Sequence, residues 1–150
     1  MCRLSAVKAR KGFTLVELAV VIVIIGVLAA FGVPRFIKSV ERSKAAEAFS
    51  YLSAVRDAQE RYIAREGVYA DNVSKLDITQ APPKYFGNPS AITVSNVSAL
   101  DGSAAWSLQL TRNTDSSSYG AYTVQFTQDG FDITNSSILA DISPMGTPNS

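Results

Sequence analysis

The chain has 150 residues, of which 47% are apolar, and a formal net charge of +1. This length accommodates one domain plus a membrane element. It contains no histidine and one cysteine, Cys2. These counts exclude hydrolytic triads that use histidine, zinc sites ligated by histidine, and an intrachain disulfide. We predict no enzymatic activity, no cofactor and no bound metal.

The basic charge is concentrated at the N-terminus. Before Gly12 the chain carries four basic residues and no acid: Arg3, Lys8, Arg10 and Lys11. Taking these four from the 14 Lys and Arg residues leaves 10 basic against 13 acidic side chains after Gly12, so the remainder is mildly acidic. Such a charge argues against nucleic-acid binding, and we predict none. Residues 1–12 are interpreted as a leader peptide.

A long apolar stretch follows the leader. Residues 18–33 carry no charge, and between 13 and 33 the polar side chains are Thr14 and Glu17. As a helix, this stretch would be about 32 Å long, which matches a hydrocarbon core of about 30 Å. We therefore predict a membrane-spanning helix over residues 13–34. Because the basic leader stays in the cytoplasm, its C-terminal end should lie across the membrane.

A cleaved secretory signal peptide is the alternative interpretation of this stretch. The run Ala30-Phe31-Gly32 matches a small-x-small cleavage site. However, a signal peptide does not explain Glu17, and its apolar region is typically about 7–15 residues, shorter than the one here. We favour a helix that is retained.

The junction Lys11-Gly12-Phe13-Thr14-Leu15-Val16-Glu17, followed by an apolar helix that ends near Pro34, resembles the type IV pilin family, which includes the pseudopilins of type II secretion. The likeness is close over about residues 8–40. It implies that a prepilin peptidase cuts between Gly12 and Phe13 and methylates the new amine of Phe13. It also implies a single-pass inner-membrane protein with a periplasmic C-terminus. An inner-membrane assembly machinery would draw this protein from the lipid into a helical homopolymer, either an extracellular pilus or a periplasmic pseudopilus.

Glu17 is the anomaly of the apolar stretch, because a carboxylate in a membrane costs a few kcal/mol unless it is paired or lies near the interface. We predict that it neutralises the Phe13 ammonium of a neighbouring subunit, which would set the axial register of the filament. Helical i, i+4 spacing places Glu17 and Phe13 on one side of the chain. The alternative is an acid that only stabilises the helix dipole.

Gly26 and Pro34 mark an expected weak point of the helix. Pro34 removes one backbone hydrogen bond and crowds the carbonyl of Ala30, which favours a kink. By the family resemblance, residues 26–34 would lose helicity on assembly. A simple kink at the membrane exit is the other possibility.

Helical periodicity continues beyond Pro34. The apolar positions predict an amphipathic helix over residues 35–66 that ends before Gly67: Ile37, Val40, Ala45, Ala48, Phe49, Leu52, Val55 and Tyr62. Residues 67–90 are predicted to form a connecting loop. By the resemblance, this loop has a packing role.

From residue 91 the apolar period becomes two, which is typical of strands. The candidate strands are Ala91–Val97, Ala104–Arg112, Tyr119–Thr127 and Phe131–Thr134. Short links between them predict an antiparallel meander of about four strands over 91–134, packed on the amphipathic helix. The predicted fold class is α+β, with a headgroup domain over 35–150 and a loosely held tail over 135–150.

Three aspartates near the C-terminus are candidate Ca²⁺ ligands, since some major pseudopilins bind Ca²⁺ in this region: Asp129, Asp132 and Asp141. Their spacing fits no EF-hand, and isolated loop aspartates are usually turn formers. We therefore interpret them as turn residues.

Three functions are compatible with this sequence. The favoured one is a structural subunit of a pilus, serving adhesion or motility. The second is a pseudopilin that serves protein secretion. The third is a membrane-tethered periplasmic binding domain, which predicts a cleft with converging polar residues that the sequence does not reveal.

Overall fold

The computed structural model describes residues 12–87, 89, 91–95 and 104–146. Its elements are α1 (Leu15–Glu66), β1 (Thr93–Ser95), β2 (Ala105–Thr111), β3 (Thr123–Thr127) and β4 (Gly130–Phe131), with 3₁₀ turns at Val73–Lys75 and Thr114–Ser116. The four strands form one antiparallel sheet in the order β1-β2-β3-β4. The predicted α+β class, with a long helix followed by a four-stranded meander, is therefore confirmed. Most of the leader, the end of the first candidate strand at residues 96–97 and the short link that follows it lie outside the described residues.

The N-terminal part of α1 is apolar and unpacked. Every residue from Phe13 to Phe36 is exposed, and the helix has the length and composition to cross a membrane. It runs without interruption through Gly26 and Pro34. The chain divides into two compact units between Phe36 and Ile37.

Within the second unit, α1 packs its apolar stripe on the sheet. The core includes Ala48, Phe49, Leu52 and Val55 from the helix and Trp106, Leu108, Leu110, Val124 and Phe126 from the strands. The rings of Phe49 and Phe126 meet edge to face, with centroids 5.6 Å apart. Ile37 and Val40, at the start of the predicted apolar face, are 39% and 37% exposed. The first buried residue of α1 is Glu41, and apolar burial starts at Ala45.

The strands follow the predicted alternation but are shorter at their ends. In the β2–β3 pair, Leu108 faces Phe126 and Leu110 faces Val124. β3 begins four residues after the predicted start at Tyr119. Gly120 lies in that interval with φ +72°, which interrupts an extended backbone.

Two predictions for the C-terminal region also differ from the structure: the end of β4 and the packing of the tail. β4 ends at Phe131 because Asp132 Oδ1 accepts hydrogen bonds from the backbone N–H groups of Thr134 and Asn135 (3.0 and 3.1 Å), which forms a turn. The expectation of a loose tail is wrong for residues 135–146. There Ser136 Oγ accepts from the backbone N–H of Gln125 at 2.9 Å, and Ile142 is fully buried.

The helix ends where the sequence indicated. Gly67 has φ +74°, and its N–H donates to the carbonyl of Ile63 at 2.9 Å. Only glycine adopts this left-handed conformation without steric cost, so Gly67 terminates α1.

Candidate functional site

Glu17 is held at the start of α1 by Thr14. The backbone N–H and the hydroxyl of Thr14 each donate to Glu17 Oε2 at 2.8 Å, and the Glu17 N–H donates back to Thr14 Oγ1 at 3.2 Å. This reciprocal arrangement is a capping box, in which two otherwise unpaired backbone donors of the first helical turn are satisfied. Thr14 is therefore the N-cap residue of α1.

The capping box corrects the predicted geometry of Phe13. The helix begins at Leu15, two residues after the predicted start, so Phe13 precedes the N-cap and helical i, i+4 spacing to Glu17 does not apply within one chain. Phe13 is 83% exposed. Its predicted pairing with Glu17 joins two chains and stays a prediction.

The Glu17 carboxylate retains capacity for a further partner. Both hydrogen bonds from Thr14 end on Oε2, and Oε1 accepts none from the described part of the chain. The surrounding space is an open pocket of about 290 Å³ lined by Gly12, Phe13, Thr14 and Glu17. A donor from another molecule can therefore approach Oε1 without displacing the cap.

Packing within the described part of the chain does not explain Gly12 and Gly26. A Cβ atom placed on either glycine would meet none of the described heavy atoms within 4 Å. Any requirement for glycine at these positions must therefore come from another molecule or from another conformational state.

The sequence contained a signal for Thr14 that the prediction did not use. Thr14-Leu15-Val16-Glu17 matches the S/T-x-x-E pattern of a capping box. Glu17 was assigned only to charge pairing or to the helix dipole, whereas the structure shows that it also caps the helix.

A second polar constellation lies in the interior of the headgroup. Arg112, at the end of β2, donates from Nε to Glu41 Oε1 at 2.7 Å and from Nη2 to Glu41 Oε2 at 3.3 Å. Both residues are buried, with exposures of 3% for Glu41 and 1% for Arg112. Arg112 Nη1 donates to the carbonyls of Tyr85 and Asn113, at 3.1 and 2.7 Å. The guanidinium thus joins the helix, the loop and the sheet.

Two more side chains complete the surroundings of Glu41. The hydroxyl of Tyr122 donates to Glu41 Oε1 at 3.0 Å, and Lys44 Nζ lies 3.5 Å from Glu41 Oε2. Burial alone would raise the pKa of Glu41, but the hydrogen bonds from Arg112 and Tyr122 and the nearby positive charges hold that pKa below its ordinary value. Burial and the Glu41 charge raise the pKa of Tyr122. Glu41 is therefore an ionised carboxylate at neutral pH.

The aspartates considered as Ca²⁺ ligands do not converge. Asp132 accepts the turn hydrogen bonds given above, Asp129 Oδ2 accepts from the Gln128 amide at 3.1 Å, and Asp141 pairs with Lys38 at 3.2 Å. Across residues 12–87, 89, 91–95 and 104–146 there is no group of three or more carboxylate, thiol or imidazole side chains placed to hold a metal ion.

The headgroup also contains an open cleft of about 520 Å³. Its lining combines aromatic, aliphatic and charged side chains: Tyr62, Val68, Tyr69, Asp71, Lys75, Ile92 and Val94. The two charged residues pair with each other at 2.7 Å. A membrane-tethered binding domain would require polar groups that are available to a ligand in the cleft, whereas Asp71 and Lys75 are paired with each other.

Comparison with known proteins finds a family motif near the N-terminus and several similar proteins. Residues 7–33 match the family described as the prokaryotic N-terminal methylation motif. The chain is 42% identical over 66 residues to the type IV major pilin protein PilA of Myxococcus xanthus, which is 44% of this chain and 30% of the relative. It is 38% identical over 108 residues to a fimbrial protein of Pseudomonas aeruginosa, which is 72% of this chain and 64% of the relative. It is 52% identical over 48 residues to the type IV narrow pilus major component PilA5 of Thermus thermophilus, 32% of this chain and 41% of the relative.

The chain therefore spans less than two thirds of the length of these relatives. The segment that matches the family motif contains Gly12, Phe13 and Glu17.

Proposed function

We propose that the chain is a member of the type IV pilin family and a structural subunit of a pilus-like filament. The observation that carries the proposal is one acid, Glu17, in an exposed apolar helix within the segment that matches the methylation motif. No enzymatic role follows from this arrangement.

The apolar half of α1 supplies the driving force for assembly. Burying a Val, Leu, Ile or Phe side chain contributes about 1.5–3 kcal/mol, so a helix exposed on every side from Leu15 to Phe36 is stable only in contact with other apolar groups. Before assembly that environment is the inner-membrane lipid, with the headgroup on the periplasmic side. After assembly it is the packed helices of sister subunits, delivered by the inner-membrane assembly machinery.

Maturation would produce the amine that assembly uses. We propose that a prepilin peptidase cuts between Gly12 and Phe13 and methylates the Phe13 amine. The exposed Phe13 and the unobstructed Gly12 are compatible with entry of this junction into a narrow enzyme site.

The new ammonium would then meet Glu17 of a neighbouring subunit. In an apolar filament interior an unpaired ion costs several kcal/mol, so the pair both favours docking and fixes one axial position. The free Oε1 of Glu17 supports this proposal, because the Thr14 cap persists while Oε1 accepts from the ammonium. Residues 26–34, with Gly26 and Pro34, are proposed to adapt their helicity during this packing.

A pilus is favoured over a pseudopilus. The relatives described above are major pilins and a fimbrial protein. The proposed location after assembly is the cell surface.

Two substitutions separate the capping role of Glu17 from its charge. Glu17→Gln preserves the capping box, since Gln also serves at this position, but removes the carboxylate charge. Thr14→Ala removes the cap and preserves the charge. Both variants are expressed in the native host, and the sheared surface fraction is quantified by immunoblot and electron microscopy.

We expect Glu17→Gln to be inserted and processed normally but to yield at least about tenfold fewer filaments, because an unpaired ammonium would remain in the interior. Thr14→Ala should retain most of its filaments, since a lost cap costs about 1 kcal/mol. Wild-type filament yield from Glu17→Gln would refute the charge pairing.

A further inference from the structure

Residues 37–44, the first two turns of α1 within the headgroup unit, attach to it differently from the rest of the helix. Glu41 is the only buried residue among these eight, and apolar burial begins at Ala45. The exposed ion pair between Lys38 and Asp141 adds little, because water screens it. Glu41 and Lys44 therefore supply the main polar contacts of these turns, beside the partly exposed side chains of Ile37 and Val40.

Glu41 and Arg112 are the only buried charged residues in the described part of the chain. Their bidentate contact is reinforced by the Tyr122 hydroxyl, and Lys44 Nζ lies both 3.5 Å from the carboxylate and 4.8 Å from the centre of the Tyr85 ring. Apolar residues of similar size often stabilise a protein as well as a buried ion pair does. The role of this pair is therefore better explained by its requirement for one specific arrangement of α1 on the sheet.

The sequence around Glu41 permits one position of the helix against Arg112. A three-residue shift of α1 would bring Lys38 or Lys44 to the guanidinium and place two like charges together. A four-residue shift would bring an apolar side chain and leave Arg112 buried without a counterion, which is strongly destabilising.

We infer that Glu41, Arg112 and Tyr122 form a polar lock, which fixes residues 37–44 of α1 on the sheet in a single register. When the lock breaks, these two turns detach while the core from Ala45 onward stays folded. The part of α1 free of the headgroup then lengthens by about 12 Å at 1.5 Å per residue. This device acts within one headgroup and does not depend on filament formation.

Electron–electron distance measurements on the full chain in detergent test the lock. Cys2 is the only cysteine, so its replacement by Ser gives a background for two spin-label pairs. The first pair joins exposed positions Arg42 and Gln109 and reports on the locked turns. The second joins Ser53 and Gln109 and reports on the core part of the helix.

In the otherwise wild-type chain both pairs should give narrow distance distributions. We expect Glu41→Gln to widen the 42–109 distribution about twofold or more and to leave the 53–109 distribution unchanged. The matched control is Glu60→Gln, which removes an exposed acid from the same helix and should change neither distribution.

A milder variant covers the case in which Glu41→Gln unfolds the headgroup. Tyr122→Phe removes only the hydroxyl that donates to Glu41 and should widen the 42–109 distribution in the same direction by a smaller amount. The inference is overturned if both Glu41→Gln and Tyr122→Phe leave the 42–109 distribution at its wild-type width. It is also overturned if the two label pairs widen together in both variants.

Discussion

Gln59 and Ala70 exchange two hydrogen bonds in the interior of the headgroup. The Gln59 side-chain amide donates to the Ala70 carbonyl at 2.8 Å, and the Ala70 N–H donates to Gln59 Oε1 at 2.9 Å. Both residues are buried, with exposures of 0% and 1%. One helix side chain therefore satisfies both backbone groups of a loop residue and anchors the loop that follows Gly67.

Replacing this amide should destabilise the headgroup strongly. Gln59→Leu conserves volume but leaves the N–H and carbonyl of Ala70 buried without partners, at a cost of about 1–3 kcal/mol for each group. We expect a lower midpoint of urea unfolding. The matched control is Gln109→Leu on the exposed face of β2, which should change the free energy of unfolding by less than about 0.5 kcal/mol. Equal effects from the two changes would contradict this role of Gln59.

The ion pair of Glu41 and Arg112 should behave non-additively. Removing either partner alone, by Glu41→Leu or Arg112→Met, leaves an uncompensated buried charge and should cost about 3–5 kcal/mol. The double variant removes both charges, so its loss in the free energy of unfolding should be smaller than the sum of the single losses. Additive losses in a double-mutant cycle would show that the two side chains are not coupled.

Acid should destabilise the headgroup in part through Glu41. Its pKa is lowered in the folded state from an ordinary value of 4.5, so the folded state binds the proton less readily than the unfolded state. The stabilisation is complete above pH 4.5 and is lost as the pH falls through the lowered folded-state pKa. We expect the free energy of unfolding to fall with acid more steeply in the wild type than in Glu41→Gln. If the free energy of unfolding depends on pH identically in the two proteins, Glu41 does not contribute to the acid sensitivity of the headgroup.

The turn between β3 and β4 requires glycine at its exit. Gly130 has φ +109°, a conformation that side-chain-bearing residues rarely adopt. Gly130→Ala should therefore cost about 1–3 kcal/mol in the free energy of unfolding. Gly87 is the comparison, because it has no positive φ and an added Cβ would meet only ordinary contact, 3.8 Å from the Thr111 carbonyl. In thermal unfolding, Gly130→Ala should clearly lower the melting temperature, and Gly87→Ala should lower it little.

Local patterns predicted most of the fold. Alternation identified β2 and the buried face of Leu108 and Leu110, and an uninterrupted apolar run identified the exposed half of α1. Gly67 marked the end of the helix because one residue in left-handed conformation is enough to stop it.

Local sequence patterns could not predict the polar lock, because its residues are far apart in the sequence. Glu41 lies among charged residues on an amphipathic helix, a pattern that is typical of an exposed acid. Arg112 is 71 positions away along the chain. Nothing local indicates that two such distant charges share one buried site.

We propose that Phe13 becomes a methylated N-terminus, which enters a filament with Glu17 of a neighbouring subunit as its counter-charge. Intact-mass and N-terminal peptide analysis of sheared surface filaments measures this N-terminus. We expect a chain that begins at Phe13, carries one added methyl group on its amine and contains no residue of the leader. Filaments built from chains that retain Gly12, or a mature protein whose N-terminus lies beyond the apolar helix, would contradict it.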